Sequence, residues 1–142
     1  MADSRPETFG VRMARREKQL VDNSLRNVKK ALTAVLRTLV YTTRVDTGRA
    51  RSNWIVTKSR PSVREYTNFP KGGGGSTADA AGVFAVAKGT PVIASMTPKN
   101  TKMFFTNNVP YIGIINDVYG DHMAERAIFV GNSILKNGRF FR

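Results

Sequence analysis

Apolar residues recur through the first third of the chain with helical spacing. Val21, Leu25, Val28, Leu32, Val35 and Leu39 follow one another at alternating steps of four and three, and Leu36 and Val40 widen the stripe. Arg26, Lys30, Thr33 and Arg37 fall on the opposite side, and neither Pro nor Gly interrupts the run. The pattern predicts one long helix from about Val11 to Thr43, with a core face and a solvated basic back. Its first part, Val11 to Leu20, extends past what one small sheet can cover and is expected to need a partner.

The period then changes. Asp46 is placed to cap one helical turn over residues 47–51. Asn53 to Ser59 alternates as a strand, with Trp54 and Val56 on one face and Ile55 and Thr57 on the other. Trp54, the single tryptophan, is expected to pack on the helix stripe. Residues 60–77 read as loop through Arg60-Pro61, Phe69-Pro70 and the run Gly72, Gly73, Gly74, Gly75. A second, small-residue helix is predicted from Ala78 to Lys88, capped by Ser76 or Thr77 and stopped by Gly89. Strands are predicted at Thr90 to Met96, entered through Pro91, and at Thr101 to Asn107. Tyr111 to Val118 reads as one or two helical turns. A last helix, capped by Asp121, places Met123, Ala127, Val130 and Ile134 on one face as far as about Lys136.

The expected fold class is α+β: a long N-terminal helix and further helices packed on a small, mostly antiparallel sheet. The expected organisation is a flexible N-terminus at 1–9, one domain at 10–136 with a glycine-rich loop at 68–77, and a basic, aromatic tail at 137–142. Phe140 and Phe141 in that tail are adjacent large apolar residues that call for a surface to dock on.

Composition narrows the chemistry. The 142 residues suit one domain with its own core. With no cysteine and one histidine, disulfides, thiolate metal sites and the usual histidine zinc sites are excluded, and no cofactor or metal is expected. No apolar run approaches the length of a membrane span and Met1 to Glu7 does not read as a signal peptide, so synthesis in the cytosol and no membrane partner are expected. The formal charge of +13 favours nucleic acid, anionic surfaces or acidic proteins as partners. No zinc-finger spacing or aromatic RNA-binding motif accompanies it. A free-standing basic DNA-binding protein is the alternative that this charge leaves open.

Three stretches invite a sharper reading. Asp46-Thr47-Gly48 matches the tripeptide of aspartic proteases, in which two aspartates share one proton and a short chain must dimerise. Arg49 beside it would hold the aspartate ionised, and a helix rather than an apolar strand precedes it. A capped turn accounts for the same residues. His122 lies near Asp121 and Glu125, with no nucleophile or metal set to complete an acid–base site. The lysine precedes the four glycines and no strand leads into them, the wrong order for a phosphate loop. No catalytic residue is expected, and the chain is expected not to be an enzyme.

Val45-Asp46-Thr47-Gly48-Arg49-Ala50-Arg51-Ser52-Asn53-Trp54, followed downstream by Phe105-Thr106-Asn107-Asn108-Val109-Pro110-Tyr111, resembles the head-to-tail joining proteins of long-tailed bacteriophages: tail-completion, tail-terminator or neck proteins. In that family a long first helix leads into the first motif, and a strand ends in the second. The resemblance spans roughly residues 20–135. It implies a structural virion protein that closes into a homo-oligomeric ring, commonly six-fold, at the head–tail junction. The implied partners are neighbouring connector and tail-tube proteins, with DNA passing through the lumen without sequence preference. It implies a structural corner built from Asp46, Thr47, Gly48, Arg49 and Trp54, with Asn107, Asn108, Pro110 and Tyr111, in which Gly48 allows close backbone approach and Arg49 pairs with Asp46 or an acidic residue such as Asp117. Gly72 to Gly75 and Phe140-Phe141 are then candidate arms toward other subunits.

Overall fold

A computed structural model describes residues 6–45, 47–70, 78–118 and 120–138. Asp46, Gly72, Gly73, Gly74, Gly75, Tyr119, Phe140 and Phe141 lie outside the described residues, and so do the first five. The protein is α+β: a long N-terminal helix, further helices and a two-stranded antiparallel sheet.

Helix α1 (Phe9–Thr42) starts at Thr8, whose Oγ1 accepts from the Val11 N–H at 3.3 Å. Three further elements pack on its second half. They are the single turn α2 (Arg49–Ser52), helix α3 (Ala78–Ala94) and helix α4 (Met123–Lys136). Both long partners run antiparallel to α1. Along α4, Met123 meets Thr43, Gly131 faces Ala31 and Val35, and Gly138 reaches Asn27. Along α3, Gly82 faces Tyr41, Gly89 faces Leu36, and the Ala94 carbonyl accepts from Lys29 Nζ at 2.8 Å. Strands β1 (Ile55–Thr57) and β2 (Phe104–Thr106) pair with Val56 opposite Phe105. Leu36, Leu39, Val40, Trp54, Val56, Ala85, Ile93, Ile115, Met123 and Ala127 form the core.

The helical stripe is correct in kind and shifted in place. Among the apolar residues burial begins at Ala31 and is complete at Leu36 and Val40, while Val21 is exposed and Leu25 and Val28 are half-buried. The reason is length: α3 and α4 end level with Lys29 and Asn27, so α1 runs on alone. Residues 9–22 are exposed on every side, about 20 Å of helix at 1.5 Å per residue.

The predicted stop at Gly89 and strand at Thr90 to Met96 are overturned. Helix α3 continues through both Gly89 and Pro91. Gly89 is a packing residue: a Cβ there would stand 2.6 Å from Leu36 Cδ2 and 2.8 Å from Val56 Cγ2. A proline in the last turn removes only one helical N–H, and Thr90 Oγ1 adds a bond to the Val86 carbonyl at 2.8 Å. The expected cap at Asp121 is also replaced. The N-cap of α4 is His122, in the left-handed region at φ 45, with no side-chain cap bond. Before it, a π-helical turn (Ile114–Val118) fills the segment expected to be helical, and Gly120 at φ 72 turns the chain out of it.

Candidate functional site

The corner after α1 is where the two motifs of the sequence meet. Gly48 is the N-cap of α2, at φ 88 and ψ −10, and caps through no side chain. The N-cap position is thus Gly48; Asp46, expected to cap the turn, lies outside the described residues. A left-handed, buried position immediately before a helix suits glycine, because a Cβ there is strained. The chain then makes one turn, with the Ser52 N–H bonded to the Gly48 carbonyl at 3.0 Å, and enters β1.

Three asparagines tie this turn to distant segments. Asn53 is fully buried. Its Nδ2 donates to the Arg49 carbonyl at 2.8 Å and the Tyr66 carbonyl at 3.2 Å, and its Oδ1 accepts from the Tyr66 N–H. Asn107 Nδ2 donates to the Ala50 carbonyl at 2.8 Å while its Oδ1 accepts from the Val109 N–H at 3.2 Å. Asn108 Nδ2 donates to the carbonyls of Ser62 at 2.9 Å and Arg64 at 2.8 Å. An amide carries donors and an acceptor on one short stem, so it can stand in for a backbone pair where no strand runs. Pro110 is exposed behind this turn, and the Val109 side chain is buried beneath it.

The arginines of the corner are each engaged. Arg49 pairs with Glu65 rather than with Asp117, and its guanidinium lies 5.9 Å from the Tyr111 ring centroid; the expected partner Asp46 lies outside the described residues. The hydrogen bond from Arg49 holds the Glu65 carboxyl below the usual carboxylate range, against a smaller effect of burial. Arg51 donates to the Thr43 carbonyl from Nε at 3.0 Å and from Nη2 at 2.8 Å, which satisfies an orphan acceptor just past the end of α1. Arg44 reaches Asp121 from its backbone N–H at 3.2 Å, from Nε at 3.1 Å and from Nη2 at 2.7 Å. The Arg44 side chain is the largest cause holding Asp121 below its ordinary value, burial opposes it, and the Arg44 N–H adds to it.

Beneath these charges, Trp54 Nε1 donates to Thr43 Oγ1 at 2.8 Å, and that hydroxyl lies 2.6 Å from the Leu39 carbonyl it donates to. Trp54 therefore packs on the first helix, as expected, through a polar handle as well as its ring. Ser52 Oγ is the one buried side-chain polar atom without a hydrogen-bond partner among the described residues.

Of the corner residues expected from sequence, Gly48, Arg49, Trp54, Asn107, Asn108, Pro110 and Tyr111 come together here, while Thr47 is exposed beside them. Thr43, Asn53, Glu65, Tyr66 and Asp121 were missed as site residues. Apart from the local bonds of Thr43 to Leu39 and Asn53 to Arg49, their partners lie between 8 and 80 residues away, and no spacing rule reaches across such gaps. No group of three His, Cys, Asp or Glu that could hold a metal ion occurs among the described residues. No described helix is long and apolar enough to cross a membrane. No protein-family model, curated protein or solved structure matches the chain.

Proposed function

We propose that the chain is a ring-forming structural subunit at the head–tail junction of a long-tailed bacteriophage, a tail-completion, tail-terminator or neck protein. The observation that carries this reading is the joint between its two motifs. Val45 to Trp54 and Phe105 to Tyr111 are about fifty residues apart in sequence. They are held together by the Asn107–Ala50 bond, the β1–β2 ladder and the Arg49–Tyr111 contact. Two motifs that resemble one family, and that fold into one unit, support that family's role more than either alone.

Two further features suit a ring. A heterologous ring needs two unlike faces on each subunit. One candidate is the projecting end of α1, where Phe9 is 71% exposed. The other is the outer side of α4, where Ile128 and Phe129 are 61% and 72% exposed. In this reading the polar groups of the corner hold the subunit in shape, and Asp46 has no catalytic part.

An amber codon placed in this reading frame in the encoding phage tests the proposal. Heads and tails should accumulate unjoined, and antibody to the chain should label the neck of wild-type particles. Complete infectious particles made without the chain would refute it. The alternative, a free-standing DNA-binding protein, draws on the +13 charge and predicts no label on the virion.

A further inference from the structure

Helix α1 carries eight basic residues and only two acidic ones, Glu17 and Asp22. Five of the eight share one side. Arg12, Arg16, Arg26, Lys30 and Arg37 occupy positions of a row that steps by four and three along the whole helix, and the intervening positions are uncharged. All five are exposed, and none makes an ion pair or side-chain hydrogen bond among the described residues. Glu17 lies away from this side, and Asp22 stands at its edge, one turn before Arg26. Of the other three, Lys29 is fastened to the Ala94 carbonyl and Arg15 pairs with Glu7, while Lys18 lies off the row.

We infer that this row is a contact surface for the phosphate backbone of duplex DNA. Arg12 to Arg37 spans about 37 Å at 1.5 Å per residue, close to one turn of the duplex. Five exposed cations in a row along one helix match a regular line of negative charge. A protein partner fits the row less well, because stable protein interfaces centre on buried apolar anchors, and between Arg12 and Arg37 the row itself carries no large apolar residue; Phe9 and Tyr41 stand only at its two ends. The contact is indifferent to base sequence, since nothing on the row is placed to read base edges. If the ring proposed above exists, this is the side of α1 that would face the DNA; the phosphate contact itself does not depend on the ring.

The test uses the full chain and a labelled duplex of about 30 base pairs, with binding followed by fluorescence anisotropy across a salt series. The triple variant Arg26→Gln, Lys30→Gln, Arg37→Gln should lower the slope of log K against log salt by about 2.7, at about 0.9 per phosphate contact. At about 0.1 M salt its affinity should fall on the order of 100-fold. The control triple Arg60→Gln, Arg64→Gln, Lys99→Gln removes the same charge from elsewhere and should change the slope by less than about one. Equal losses in the two triples would overturn the inference, and so would an unchanged slope in the α1 triple. If the α1 triple binds DNA normally yet fails to join connector or tail proteins, the row is a protein-docking surface and the inference is wrong. Should the triple lose helical circular dichroism, the three single variants replace it, each expected to lower the slope by about 0.9. Particle joining in the amber test reads the ring independently, so either proposal can fail while the other stands.

Discussion

At the scale of single residues, the protein is held by polar groups that lie far apart in sequence. Trp54 Nε1 and the Leu39 carbonyl both depend on the Thr43 hydroxyl, which is fully buried. Thr43→Val keeps the shape and strands the indole N–H, so urea unfolding should show a loss of about 1–3 kcal/mol. Ser52 is the opposite case. Its hydroxyl is buried without a partner, so Ser52→Ala should be neutral or stabilising in the same assay. Asp121 supplies a pH dependence. Its folded-state pKa is depressed by Arg44, so the stability it contributes is present above the unfolded value of about 3.9 and is lost as pH falls through the depressed folded value. Asp121→Asn should therefore be less stable than the wild type at about pH 6, with the difference shrinking as pH falls below about 3. A difference that stays constant with pH would show that the carboxylate charge is not what Arg44 holds.

At the scale of elements, glycine decides how closely the helices approach. Gly89 and Gly131 lie inside helices, where glycine is disfavoured by about 1 kcal/mol relative to alanine. A Cβ at Gly131 would stand 2.7 Å from Val35 Cγ2. The side chains facing Gly89, Leu36 and Val56, are themselves enclosed and cannot swing away. Gly89→Ala should thus gain the helix term and lose more to overpacking of about 1–3 kcal/mol, for a net lower melting temperature. Gly10→Ala, with nothing within 4 Å, should show no such loss. The same contact explains why a stop was expected at Gly89: a glycine in a helical pattern signals either an end or a close approach, and only the neighbouring helix tells which.

At the scale of the whole molecule, a folded body and a projecting rod are joined in one helix. The body contacts α1 from about Asn23 onward, and residues 9–22 are exposed throughout. Removing residues 1–20 should shift the melting temperature by no more than a few degrees, since little buried surface is lost. In the ring reading the same deletion should abolish joining of heads to tails, because it removes Phe9 and the other exposed apolar residues of the rod. A truncated chain that still completes virions would assign ring closure to another surface.

The chain's local patterns determined a good part of this protein. The long helix, the strand character of the segments around Val56 and Phe105 and the last helix follow from periodicity and side-chain type. These are short-range properties, set by which residues lie three, four or two positions apart. Tertiary structure alone decided where the stripe of α1 becomes buried, that α3 runs past Gly89 and Pro91, that Gly48 stands at the N-cap of α2, and that His122 rather than Asp121 caps α4. It also chose Glu65 for Arg49 and Asp121 for Arg44. A charge or an amide can satisfy many partners in principle. Which one it meets depends on distances set only once α3 and α4 have docked on α1, and those distances leave no trace in local spacing.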